Sequence, residues 1–288
     1  MMHLKLFIDL TRLKKPIGFM LLFWPCAWGL TLAYDFSLSL NNYFFYLTLF
    51  FLGSVLMRSA GCIVNDILDK EFDAKVFRTK NRPIASGKIS IKVAIFYSLV
   101  LCFLALLVLL NFNFLTIILA LGSMPLAFTY PLMKRFTYWP QLFLGITFNY
   151  GLILGWTAIE GQLDLAPIIF YLGAIFWTLG YDTIYGYQDI RDDEIIGLKS
   201  TSIKFKGKAK KFLIMSYSLL IILFSIGGYF MKFDPKYYFI LFIPFMHLFF
   251  YQIRNLNLKN PTSCLRIFKS NNIFGFIIFL NILIAKNL

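Results

Sequence analysis

The chain is 288 residues long, 59% hydrophobic and only 15% charged, with a mean hydropathy of +0.72. Soluble domains carry roughly 25% charged residues, so this composition excludes a water-soluble globular protein and implies an all-α, polytopic membrane protein. The net charge of +14 does not point to nucleic acid, because the bases are distributed between apolar runs in step with a membrane topology.

Runs long enough to cross a hydrocarbon core about 30 Å thick fall at about 16–34, 43–64, 91–110, 113–130, 140–159, 166–185, 212–231, 236–252 and 270–286, predicting nine transmembrane helices in one bundle. Lys5, Arg12, Lys14 and Lys15 precede the first run like the basic head of a signal peptide. That run exceeds the usual ~7–15-residue apolar core and lacks a small-residue cleavage site, so it is read as a retained first span. Lys and Arg crowd the N-terminus, 70–92, Lys134-Arg135, 191–211 and 254–269, whereas 35–42, 111–113 and 160–165 carry none. The positive-inside rule then puts the N-terminus and the basic loops in the cytoplasm and the C-terminus outside; Lys232, Lys236 and Lys286 are minor exceptions. No Pro- or Ser-rich linker interrupts the chain, so residues 1–288 are read as a single membrane domain. With no organelle-targeting segment ahead of the first span, a bacterial inner membrane is the expected location.

Two acidic stretches hold nine of the fourteen carboxylates. Span 2 runs into Asn65-Asp66-Ile67-Leu68-Asp69-Lys70-Glu71-Phe72-Asp73. Span 6 contains Asp182 and is followed by Asp189-Ile190-Arg191-Asp192-Asp193-Glu194. Acids beside membrane helices are costly unless a polar cavity or counter-ion receives them, which makes the loops at about 65–90 and 182–211 the predicted site. Asn65, Asp69 and Asp73 stand at i, i+4 and i+8, with Asp66 close by, so a continuing helix presents them in one row. Asp189 and Asp193 repeat the i, i+4 pair, and Asp182 lies two turns earlier. Oxygen ligands without His or Cys favour Mg2+, completed by waters and substrate phosphates, and a diphosphate is the expected ligand.

The neighbouring bases support an anionic substrate. Arg78, Lys80, Arg82 and Lys88 follow the first motif, Arg191 and Lys199 interrupt or follow the second, and Lys134-Arg135 occupy a short loop on the same side, as a developing diphosphate leaving group requires. Arg82 and Lys134 are read as functional. Lys204, Lys206, Lys208, Lys210 and Lys211 are read instead as anchors to anionic lipid. Gly197-Leu198-Lys199-Ser200-Thr201 lacks the Gly-Lys junction of a P-loop. Cys26, Cys62, Cys102 and Cys264 have no metal or disulfide spacing and are read as packing residues, and His247 as a structural residue.

Asn65-Asp66-x-x-Asp69-x-x-x-Asp73, Asp189-x-x-x-Asp193 and Tyr130-x-x-x-Lys134 resemble the signature motifs of the UbiA-type intramembrane aromatic prenyltransferases, over nearly the whole chain. Lys15-Pro16-Ile17-Gly18, Met57-Arg58-Ser59-Ala60-Gly61-Cys62, the segment 78–87 and the segment 134–141 resemble the subgroup that acts on 4-hydroxybenzoate. Lys14 stands where that subgroup commonly has an acid, and Tyr185-Gly186 where it commonly has Tyr-Ala.

The resemblance implies a helical bundle around a cavity open to lipid and capped by the two acidic loops. It implies Mg2+ bridging the diphosphate of a polyprenyl donor to Asp69, Asp73, Asp189 and Asp193, with Asn65 and Asp66 supporting the first cluster. Arg82, Lys134, Arg135, Asp182 and Tyr185 are then expected around the substrates. Ionisation leaves an allylic cation that the ring of 4-hydroxybenzoate attacks ortho to its hydroxyl, in ubiquinone biosynthesis. Aromatic faces stabilise such a cation, and Tyr130, Tyr185 and Tyr187 are the expected ones. Arg58, two turns before Asn65 on nearly the same face, either braces an acid or binds the benzoate carboxylate, for which a planar guanidinium is suited. A sister enzyme acting on haem, dihydroxynaphthoate or a chlorophyllide is the nearest alternative. A cation-coupled transporter would more naturally carry its acids at mid-span beside broken helices.

Overall fold

The computed structural model describes residues 2–287, and among them the regular structure is entirely helical. In chain order the helices are α1 (Met2–Thr11), α2 (Ile17–Ala33), α3 (Leu40–Leu68), α4 (Lys70–Asp73), α5 (Ile91–Leu109), α6 (Phe114–Thr129), α7 (Met133–Phe136), α8 (Pro140–Glu160), α9 (Leu165–Gly186), α10 (Ile190–Ile195), α11 (Thr201–Lys204), α12 (Ala209–Phe230), α13 (Lys236–Met246) and α14 (Pro261–Lys286). A 3-10 turn over Tyr130–Leu132 joins α6 to α7, and a π-helical segment over His247–Ile253 continues α13.

Local chemistry sets several ends. Ser90 and Asn113 cap α5 and α6 by accepting from the amides of Val93 and Thr116, which satisfies donors that the first helical turn leaves free. Asn260 does the same for α14 through Thr262 and Ser263, with Pro261 at the first helical position. That cap starts α14 nine residues before the predicted start at 270, because the first turns carry Arg266 and Lys269 and so hide from hydropathy. α8 ends at Gly161, whose φ of 66° is the left-handed conformation that stops a helix.

Seven helices are long and apolar enough to cross a membrane: α3, α5, α6 with its extension to Phe136, α8, α9, α12 and α14. Two expected spans are less regular among the described residues. α2 has 17 residues, and the predicted run 236–252 is divided between α13, which contains Pro244, and the π-helical segment. The polytopic all-α class stands, while length and composition support seven of the nine expected spans outright.

α2 is the centre of the packing. From Phe23 to Ala33 every residue is buried, as expected for a helix apolar on all sides. Its main neighbour is α8, and glycines set their separation: a Cβ on Gly29 would lie 2.0 Å from the Leu152 carbonyl oxygen, and one on Gly155 2.4 Å from that of Cys26. The two backbones touch, as small residues permit between membrane helices. α5 behaves differently. It buries Ala94, Ser98, Leu101 and Ala105, a stripe at helical spacing, and turns Phe96, Leu99 and Phe103 outward. α6 buries only Thr116 among its residues, so α5 and α6 form an outer, lipid-facing wall.

Opposite that wall, a polar network joins four segments. Trp177 Nε1 and Gln252 Nε2 both donate to Asn271 Oδ1, at 2.8 and 3.1 Å, and Tyr217 Oη donates to Gln252 Oε1 at 2.9 Å. The extra residue in the π turn aims Gln252 inward, and it is fully buried.

Candidate active site

The first acidic row survives a break in its helix. α3 ends at Leu68, and Asp69, with φ −98° and ψ 8°, joins it to α4. Hydrogen bonds nevertheless continue across the joint, from Asp69 N to the Asn65 carbonyl at 2.9 Å and from Asp73 N to that of Asp69 at 2.8 Å. The i, i+4, i+8 relation is therefore kept. Asp66, Asp69 and Asp73 are all buried, which charged carboxylates tolerate only with partners.

Those partners come from three parts of the chain. Asp66 is bracketed by Arg12 and by Arg82, whose Nη1 lies 3.1 Å away. The same Arg82 nitrogen donates to Asp73 Oδ2 at 2.6 Å. Lys134 Nζ donates to Asp69 Oδ2 at 2.5 Å. The second oxygen, Asp69 Oδ1, is buried with no hydrogen-bond partner and lies 3.8 Å from Arg135 Nη2. Burial holds the Asp69 carboxyl above the ordinary range against the pull of Lys134.

The second row is arranged alike. α9 stops at Gly186, Asp189 precedes α10, and Asp193 N donates to the Asp189 carbonyl at 2.9 Å. Arg78 grips Asp189 through Nε at 2.8 and 2.9 Å to the two oxygens, and Phe77 N donates to Asp192 Oδ2 at 3.1 Å. Lys199 N donates to the Lys134 carbonyl at 2.8 Å, drawing the second loop to the base that serves the first. The two acidic loops thus meet at one end of the bundle. Asp193 makes no ion pair among the described residues; burial, then the neighbouring Asp189, push its carboxyl up to about 6.

An apolar cavity of about 210 Å3, partly open, lies between α2, α3, α5, α6 and α8, lined by residues such as Leu22, Phe50, Phe112, Phe128 and Leu154. Arg58 and Tyr130 share its lining. Arg58 lies about 10 Å along α3 from Asn65, at 1.5 Å per residue. Its guanidinium carbon is 5.1 Å from the Phe148 ring centroid, its Nε is buried without a hydrogen-bond partner, and no carboxylate pairs with it among the described residues. The expected alternative of an acid brace is not what the geometry holds. Asp182 makes no ion pair among the described residues.

The other expected residues divide. Tyr185 Oη accepts from Arg78 Nη1 at 3.2 Å, with the guanidinium over its ring. Tyr130 stands edge-on to Phe148. Arg135 turns mainly to the Leu68 carbonyl, at 2.6 Å, and stacks over Phe72. Tyr187 is a correction: it packs with Ile184, Leu213 and Ile267 in a separate apolar cluster, because its backbone stays helical just past α9 and so, three residues on, it shares the face of Ile184. Arg12 belongs to the basic head in sequence and to the acidic site in space. It adopts a left-handed φ of 57° just after α1 and so reaches Asp66, a long-range pairing to which nothing in local sequence points.

No three His, Cys, Asp or Glu side chains converge as a ready metal cage among the described residues. The donor set still suits a hard divalent cation that takes one or two carboxylates at a time: Asp69 Oδ1 is an orphaned buried anion oxygen, and Asp193 is a carboxylate without a cation.

Residues 22–282 match the model of the UbiA prenyltransferase family. The chain belongs to that family. It is 43% identical over 282 residues to the mitochondrial 4-hydroxybenzoate polyprenyltransferase of Drosophila pseudoobscura pseudoobscura, covering 98% of this chain and 70% of the relative. It is also 43% identical to the mitochondrial human protein of the same name, covering 97% and 75%. A UbiA homolog from Archaeoglobus fulgidus, solved bound to GPP and Mg2+, superposes with a TM-score of 0.74 at 18% identity over 98% of this chain and all of that one, which shows a shared fold. The family makes the chain a membrane-embedded prenyltransferase. The relatives overturn the expected bacterial inner membrane, since they are mitochondrial. Hydropathy and charge bias report which side of a bilayer a loop faces, and they are blind to which bilayer it is.

Proposed function

We propose that the chain transfers a polyprenyl group from a polyprenyl diphosphate to the ring of 4-hydroxybenzoate, ortho to the hydroxyl, and that residues 1–288 act as one catalytic unit. The observation that carries the acceptor is Arg58, an arginine on the apolar cavity with an unpartnered Nε and no carboxylate of its own. A benzoate carboxylate satisfies that guanidinium in two parallel hydrogen bonds. Its ring then lies in the cavity beside Tyr130 and Phe148, below the acidic loops.

At the loops, Asp69 and Asp73 on one side and Asp189 and Asp193 on the other would hold Mg2+, with Asn65 and Asp66 supporting the first set. The metal supplies neutralisation of the leaving diphosphate. Arg78, Arg82 and Lys134, which already meet the acids, hold the same diphosphate oxygens as the allylic C–O bond breaks and its electron pair leaves with them. Tyr130, on the cavity lining, offers an aromatic face to the resulting cation, while Tyr185, whose ring already carries the Arg78 guanidinium, supports that arginine. A ring carbon ortho to the hydroxyl forms the new C–C bond, the displaced ring proton is released, and the products are 3-polyprenyl-4-hydroxybenzoate and diphosphate. The apolar cavity keeps water from the cation, and its lipid-facing wall suits a donor whose tail arrives from the bilayer.

The test is an assay of purified protein in lipid with Mg2+, polyprenyl diphosphates of several lengths and each candidate acceptor, read by mass analysis. Prenylated 4-hydroxybenzoate is the expected product. Prenylation of a different acceptor with none of 4-hydroxybenzoate would assign a sister activity.

A further inference from the structure

We infer that Gly18 and Phe148 form a clamp that aims the Arg58 guanidinium into the cavity, making Gly18 a positioning residue for the aromatic acceptor. The inference rests on the acceptor reading above. Arg58 is long and flexible, with many rotamers open to it, so a useful orientation has to be imposed by neighbours. On one side its guanidinium carbon packs 5.1 Å from the Phe148 ring centroid. On the other it crosses the first turn of α2 at Gly18: a Cβ built there would lie 2.9 Å from Arg58 Nε, 3.6 Å from Nη2 and 3.7 Å from Cγ. All three of the nearest atoms belong to this one side chain.

That pattern separates Gly18 from the packing glycines. At Gly29 and Gly155 an added Cβ meets backbone of a neighbouring helix at 2.0 and 2.4 Å, and the helices themselves have to part. At Gly18 only the arginine has to move, and a flexible side chain can do so without disturbing the bundle. Gly18 also has no positive φ that would exclude alanine. Substitution there is therefore expected to leave the fold intact and to swing Arg58, with its partnerless Nε, off its line. A misplacement of about 1 Å in a positioning group can cost as much as a hundredfold in rate.

The experiment is a set of steady-state titrations of 4-hydroxybenzoate and, separately, of polyprenyl diphosphate, on Gly18→Ala, Arg58→Ala, the double variant and Phe148→Leu, with thermal melting of each. Gly18→Ala should raise the acceptor KM about tenfold or more, leave the donor KM and the melting midpoint near those of the parent, and add nothing to the loss in Arg58→Ala. Non-additivity of that kind is the signature of two residues acting through one interaction. Phe148→Leu should also raise the acceptor KM, by less, and lose that effect once Arg58 is absent. An unchanged acceptor KM in Gly18→Ala, or a full further loss from it in the Arg58→Ala background, overturns the clamp while leaving the acceptor reading standing. An unchanged acceptor KM in Arg58→Ala itself overturns the acceptor reading, and the clamp with it.

Discussion

Arg78 and Asp189 tie the two acidic loops together across 111 residues of sequence, the Nε of one donating to both oxygens of the other at 2.8 and 2.9 Å. Tyr185 accepts from the same guanidinium. A single side chain thus registers the end of span 6 against the loop that follows span 2.

Arg78→Ala is expected to lower kcat/KM for the polyprenyl diphosphate by about tenfold to a hundredfold, the scale of a lost charge-assisted contact. Arg78→Lys keeps the charge and loses the fork, so it should recover only part of the rate. The Arg78 side chain is 38% exposed, and little effect on melting is expected because water screens such a pair. Parent-like donor kinetics in a folded Arg78→Ala would remove Arg78 from the diphosphate site.

Asp69→Asn tests the orphaned oxygen. It keeps the shape of the side chain but removes the charge that faces Lys134 and Arg135, and a rate loss of about a hundredfold or more is expected. Excess chelator should abolish turnover of the parent and Mg2+ should restore it, with helicity by circular dichroism unchanged throughout, since arginines and lysine already neutralise most of the buried acids. Full turnover in chelator would count against the metal role of both acidic rows.

Thiol labelling checks the topology. In a background lacking Cys26, Cys62, Cys102 and Cys264, a cysteine placed in 74–88 and one placed in 194–210 should label from the same side of the membrane, and one in 160–165 from the other. Labelling of the first two from opposite sides contradicts the Arg78–Asp189 junction.

Gly155→Val should destabilise the bundle by about 1–3 kcal/mol or prevent its assembly, the range for overpacking a tight contact, because its Cβ meets the Cys26 carbonyl oxygen at 2.4 Å. Gly53→Ala serves as the control, since nothing lies within 4 Å of the added carbon. Equal melting midpoints for the two variants would contradict the close α2–α8 contact.

Much of this arrangement was legible in the chain itself. Apolar runs located the helices, and the spacing of Asn65, Asp69 and Asp73 outlasted the break at Asp69 because the i→i−4 bonds carry on through it. The opposition of the two acidic loops followed from their shared basic side. What hydropathy could not reveal were features that depend on tertiary partners. Arg12 is one base among several in a charged head until α1 turns it onto Asp66. Gly18 looks like part of a helix start until Arg58 is laid across it. Tyr187 carries the right chemistry beside the motif, yet it falls on the face of Ile184 and so joins a different cluster. The π turn that aims Gln252 at Asn271 is likewise invisible to a hydropathy window, which counts residues and not their rotation.

The pairing of the buried acids also changes what donor binding means thermodynamically. Asp66, Asp73, Asp69 and Asp189 are each already matched to an arginine or lysine, so a metal diphosphate would not fall into a bare anionic pit. It would perform an ion exchange: carboxylates pass from the protein's own cations to the incoming metal, and the released cations turn to the phosphate oxygens. On the proposed function, donor affinity would be the difference between the acids' pairing with the protein's own cations and their pairing with the incoming metal diphosphate. On the proposed function, departure of diphosphate would run that exchange backwards, with Arg78, Arg82 and Lys134 returning to the acids they meet in this structure.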